Sequence, residues 1–103
     1  MNINLPKEII DYLNSGGKTE GFLTIDPGYF QLWLEKDITQ KNMEYQVKIY
    51  APDFIGFGSN GAGGMLAFDK LGRIFSLPFI GMSNEEAILI ADSWKEFEET
   101  IEA

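Results

Sequence analysis

Apolar and polar positions divide the chain into short segments whose period keeps changing. Leu5, Ile9, Ile10 and Leu13 recur at helical spacing, with Asn4 placed to cap them and Pro6 in the first turn. Gly16 and Gly17 supply the left-handed conformation that stops a helix, so residues 5–14 are expected to form a short amphipathic helix. Phe22–Ile25 and Tyr29–Leu34 are rich in β-formers and flank Asp26-Pro27-Gly28, where Pro fixes one turn angle and Gly allows a positive one; this predicts a β-hairpin. Parity along the second run puts Phe30, Leu32 and Leu34 on the better core face. Tyr29, Gln31 and Trp33 take the other face, which leaves Tyr29 and Trp33 either presented to a partner or covered by helices.

Asp37–Met43 is polar, with Asp37 and Lys41 four residues apart, and predicts one or two helical turns. Val47–Tyr50 runs up to Pro52, which closes off that segment. Phe54–Gly58, Met65–Asp69 and Arg73–Phe79 are strand-like and joined by tight turns at 59–64 and 70–72, an antiparallel meander. Ser83-Asn84-Glu85-Glu86 and Ser93-Trp94-Lys95-Glu96 each fit the S-x-x-E capping pattern. They predict a short turn near 84–88 and a helix near 94–102 with Trp94, Phe97 and Ile101 on its buried face. With neither internal repeats nor a linker, the expectation is one α+β domain over residues 1–103.

Composition then removes most chemistry. The 103 residues contain no His and no Cys, which excludes disulfides, thiolate nucleophiles, imidazole acid–base pairs and imidazole or thiolate metal ligands. Sixteen acids against eight bases give a net charge of −8, which argues against binding nucleic-acid phosphates. The charge is uneven: residues 83–103 hold seven acids and one base, a net −6. Such a run reads either as a solvated helix face or as an acidic patch that steers a basic partner. Nothing resembles a basic, apolar secretory leader, and no apolar run approaches the ~20 residues that span a bilayer. A cytoplasmic protein without membrane contact is expected.

Gly56-Phe57-Gly58-Ser59-Asn60-Gly61 satisfies the G-x-G-x-x-G pattern, but strand-like residues follow where a dinucleotide site needs a helix. A glycine hairpin turn is the expectation instead. Ser59 lies outside a G-x-S-x-G elbow, no calcium-loop register occurs, and no carboxylate pair is marked out for glycosidase chemistry. Neither catalytic residues nor a cofactor or metal are expected.

The run from Tyr50 through Pro52, Asp53, Gly56, Gly58, Asn60, Gly61, Gly63 and Gly64, continued by Leu66-Ala67-Phe68-Asp69, resembles the SUKH superfamily, in particular its Smi/Knr cell-wall-assembly-regulator type. Leu5-Pro6, Gly16-Gly17, Gly28-Tyr29 to Leu32-Trp33, Asn42 and Tyr45 fit the same pattern upstream. Ile74 to Pro78-Phe79 and the closing Ile90-Ala91-Asp92-Ser93-Trp94-Lys95-Glu96-Phe97 fit it downstream. One departure is Asn60, where the family often has Asp; another is Ala62, where it often has a polar side chain.

The resemblance implies a curved, mainly antiparallel sheet with N- and C-terminal helices and a non-enzymatic binding role. Bacterial relatives of this type act as immunity proteins against polymorphic or contact-dependent toxins, often nucleases; fungal ones act as regulatory scaffolds. The first role is the leading expectation, with a basic toxin domain as protein partner and a monomer or weak dimer as the state of the chain. A scaffold module without a toxin partner is the alternative. Candidate contacts are Tyr29, Trp33, Asp53, Asn60, Glu96, Glu98, Glu99 and Glu102.

Overall fold

Six antiparallel strands, each hydrogen-bonded only to its neighbours in sequence, form one curled sheet of order β1 to β6. The computed structural model describes residues 5–102; Asn4, read above as the first cap, lies outside them. The elements in order are α1 (Lys7–Asn14), β1 (Glu20–Phe22), β2 (Tyr29–Leu32), α2 (Ile38–Glu44), α3 (Val47–Tyr50), β3 (Phe54–Ser59), β4 (Gly64–Asp69), β5 (Ile74–Pro78), β6 (Ile88–Ala91) and α4 (Trp94–Glu99). Short 3-10 turns at Glu35–Asp37 and Asn84–Glu86 precede α2 and β6. The fold is the α+β class expected, with helices at both ends of the described chain.

The helices divide over the two faces, and the parity of β4 shows how. Leu66 and Phe68 join Phe30, Phe57, Trp94 and Phe97 in one core, beneath α1 and α4. Met65 and Ala67 join Val47, Ala51, Leu77 and Met82 in the second, beneath α3. Every residue of β4 is therefore buried, and its sequence reads as a continuous apolar run rather than an alternation. The first core is mainly aromatic: Phe97 meets Phe30 edge-on at 5.9 Å, and Trp94 meets Phe57 in the same way at 5.9 Å. Full burial of one such ring contributes about 1.5–3 kcal/mol. Between Gly56 and Gly58 the β3–β4 register shifts by one residue at Phe57, a bulge that increases the local twist.

Several expectations need correction. Pro27 occupies the third position of its turn, not the second: Gly28 N–H donates to Ile25 O at 2.8 Å, and the Asp26–Pro27 peptide is cis. Leu34, assigned to the core face, is 56% exposed because β2 ends at Leu32 and the chain turns away. The Lys41 and Asp37 pair is not an ion pair; among the described residues those are Lys7–Asp11 and Arg73–Asp69. Val47–Tyr50 is a helical turn entered through Gln46, whose φ of 55° lies in the left-handed region. Pro6, expected within the first helical turn, is the residue immediately before α1.

The C-terminal segment differs most. Ile88–Ala91 is a strand, paired with β5, that the sequence reading did not separate from the flanking turns. Ser93 Oγ accepts from Glu96 N–H at 3.2 Å and caps α4, whereas Ser83 makes no such bond. α4 stops at Glu99, so Ile101 lies beyond the helix and bridges Leu23 instead. Thr24 N–H donates to Thr100 O at 2.8 Å and Glu102 N–H to Phe22 O at 2.9 Å. The outer edge of β1 is thereby covered.

Candidate protein-binding surfaces

The eight candidate contacts fall in three places. Tyr29 and Trp33 lie on the α3 face of the sheet, and Asn60 is in the β3–β4 turn beside them. The Tyr29 ring rests on this turn: a Cβ added to Gly61 would come within 2.8 Å of it, and Gly61 itself has a φ of +75°. Both facts exclude a side chain there. Tyr29 Oη donates to Glu20 Oε2 at 2.6 Å, and this bond, with burial and the Glu20 charge after it, raises the phenol pKa. Asn60 spends its oxygen within the turn, accepting from Ala62 N–H at 2.8 Å and Gly64 N–H at 2.9 Å.

Trp33 is half-buried. Its ring stacks on Tyr45 at 6.0 Å and on Phe79 at 6.5 Å, while Tyr45 and Phe79 meet at 4.4 Å. Gly56 makes room for this cluster, since a Cβ there would meet Trp33 Cη2 at 3.2 Å and Met65 Sδ at 2.5 Å. Phe79 N–H donates to Gly63 O at 3.0 Å, so the aromatic cluster, the glycine turn and Tyr29 form one end of this face. Tyr45 and Phe79 were not singled out as contact residues from sequence. Their membership depends on loop paths that no periodicity encodes.

Asp53 stands at the opposite end of β3. Its carboxylate accepts from Asn84 Nδ2 at 2.9 Å, and its N–H donates to Asn84 Oδ1 at 3.4 Å, which ties β3 to the turn before β6. A cleft of about 510 Å³ opens beside it, walled by Pro6, Ile55, Phe68, Leu71 and Trp94. The nearby Asp69 is committed to the β4–β5 hairpin, in which Gly72 takes the left-handed position after a turn beginning at Asp69. It accepts from Leu71 and Arg73 N–H, both at 3.0 Å, and pairs with the Arg73 guanidinium at 2.7 Å. Burial pushes the Asp69 carboxyl up, but the bonds from Arg73 and Leu71 outweigh it and hold the pKa below the ordinary aspartate value. Among the described residues no group of three or more acids is placed to hold a metal ion.

Glu96, Glu98 and Glu99 lie on α4, across the sheet from Tyr29 and Trp33, whereas Glu102 stands opposite Phe22 at the β1 edge, on the side where Phe22 meets Tyr29. All four are exposed, as are Glu85, Glu86 and Asp92. Glu98 Oε1 accepts from Trp94 Nε1 at 3.1 Å, and its charge, after burial, helps raise the Tyr12 pKa. None of the seven acids takes part in an ion pair among the described residues. The sheet thus separates the α4 acids from the Tyr29–Trp33 cluster, while Glu20 and Glu102 stand beside Phe22 and Tyr29.

Residues 1–100 match the SMI1 / KNR4 family (SUKH-1), and the chain belongs to that family. A search of curated proteins found no match. Family membership suggests a domain that works through protein–protein contact. No helix among the described residues is long and apolar enough to cross a membrane.

Proposed function

We propose that this chain is an immunity protein that neutralises a basic toxin domain, of the kind often found in nucleases, by stoichiometric, non-catalytic binding in the cytoplasm. The observation that carries this reading is the acidic surface of α4, where exposed Glu96, Glu98 and Glu99 accompany one exposed base, Lys95, within a segment, residues 83–103, of net charge −6. Such a field accelerates encounter with a basic partner and disfavours neutral or acidic ones. Family membership and the absence of His and Cys accord with binding rather than catalysis. A contact of standard size would cover roughly 800 Å² of this chain, centred on Glu96, Glu98 and Glu99.

The test is co-expression with the product of the neighbouring gene, read as rescue from killing. Protection by the wild-type chain is expected, with loss when Glu96 and Glu99 are replaced by Lys and retention in Tyr29→Ala on the opposite face. The reverse pattern moves the contact to the Tyr29–Trp33 face. No rescue, with capture of signalling or envelope proteins instead, favours a regulatory scaffold. An association rate indifferent to ionic strength overturns the steering argument.

A further inference from the structure

The two edges of the sheet are treated differently. The outer edge of β1 is covered by residues 100–102, whereas β6 ends the strand order with no strand beside it among the described residues. Edge strands of natural domains are commonly blunted by inward charges, Pro or a bulge on the open side. β6 carries neither charge nor Pro in Ile88-Leu89-Ile90-Ala91, and its one such feature is a bulge at Ile90 in the pairing with β5. Ile88 is 66% exposed on the α4 face and Leu89 50% exposed on the other, so apolar side chains flank the open backbone on both sides. Exposed acids bracket the strand, with Glu85 and Glu86 before it and Asp92 after it.

We infer that the β6 edge is a docking strand for an extended segment of a partner protein, a short apolar or β-branched stretch flanked by Lys or Arg. The unpaired backbone supplies the hydrogen bonds of strand addition, and Ile88 and Leu89 supply apolar contact on either face. The flanking acids select the partner's chemistry. Antiparallel pairing with a second copy, centred on Leu89, would set Glu86 of each chain against Asp92 of the other. Two chains of −8 would meet with like charges opposed on both flanks. A basic-flanked strand turns the same positions into attractive cross-strand pairs. This deepens the reading of the chain as a binder of basic proteins and rests on it, but its test needs no toxin.

The probe is a fluorescent nine-residue peptide of alternating valine and threonine with two lysines at each end, beside a control carrying glutamates in their place. The full chain should bind the lysine-flanked peptide at least tenfold more tightly than the control by anisotropy. Binding should fall at least tenfold in the Ile88→Lys/Leu89→Lys variant, checked for a native circular-dichroism spectrum. The Glu86→Lys/Asp92→Lys variant should invert the preference, a gain of binding that misfolding cannot mimic. Equal affinity for the two peptides, or binding unmoved by the charge reversal, overturns the proposal. So does a concentration-dependent dimer of the free chain that Ile88→Lys/Leu89→Lys dissolves, since the edge would then serve self-pairing. Rescue from a toxin with no peptide binding would reject the edge and keep the immunity reading; peptide binding with no rescue would do the opposite.

Discussion

The side-chain amide of Asn42 pairs with the backbone of Gly56 as an adjoining strand would. Asn42 Oδ1 accepts from Gly56 N–H at 2.8 Å, and Nδ2 donates to Gly56 O at 2.9 Å and to Ile38 O at 2.8 Å. The pairing stands where β2 has left β3, after Trp33 N–H donates to Phe57 O at 3.0 Å. A single buried side chain from α2 thus completes the ladder and holds that helix against the sheet.

Asn42→Ala leaves both Gly56 groups without partners in a buried site and should cost roughly 2–6 kcal/mol, at about 1–3 for each unsatisfied group. Asn42→Asp offers a carboxylate to two carbonyl oxygens, so it should be strongly destabilised at neutral pH and regain stability when the acid is protonated. Urea titrations at pH 7 and pH 5 measure both effects.

Asp69 supplies a pH dependence of the opposite sense. Its folded pKa is depressed, so its contribution is complete above the ordinary aspartate value, near 3.9, and is lost as pH falls through the lower folded value. Asp69→Asn should cost about 1.5–3 kcal/mol at pH 7. The gap between variant and wild type should narrow below about pH 4, followed by thermal melts across the acid range.

The two S-x-x-E sequences should respond differently. Ser93→Ala removes a formed cap on α4 and should cost about 1 kcal/mol. Ser83→Ala removes none and should stay within about 0.5 kcal/mol of wild type. Paired denaturant midpoints make the comparison.

Asn60 holds its turn through one oxygen, which a carboxylate provides equally well. Asn60→Asp should therefore leave the melting temperature nearly unchanged, while Asn60→Ala should lose roughly 1–3 kcal/mol through two turn amides left without partners.

Local signals made most of the fold legible. The spacing of Leu5, Ile9 and Leu13, the glycines after Ser59 and the meander through Asp69 and Arg73 each reflect chemistry within a few residues, and each is found where expected. β6 was not legible because Ile88 and Leu89 are exposed on opposite faces, so neither alternation nor a helical stripe appears. Leu34 and Ile101 were misplaced because a chain leaving its element carries no periodic mark at the point of departure. The acidic surface could be counted from the sequence. The position of α4 across the sheet from Tyr29 and Trp33 could not, since that follows from how six strands pair. Asn42 was legible only as part of the family pattern; its partner is fourteen residues away.

Residues 100–102 close the edge of β1, and Lys18 Nζ reaches Glu102 O across 84 positions of sequence. During synthesis the first hairpin emerges long before the segment that covers it. A nascent chain arrested short of residue 102 therefore keeps both sheet edges open. The first strand is therefore finished by a seam with residues 100–102, and it closes only once those residues have left the ribosome.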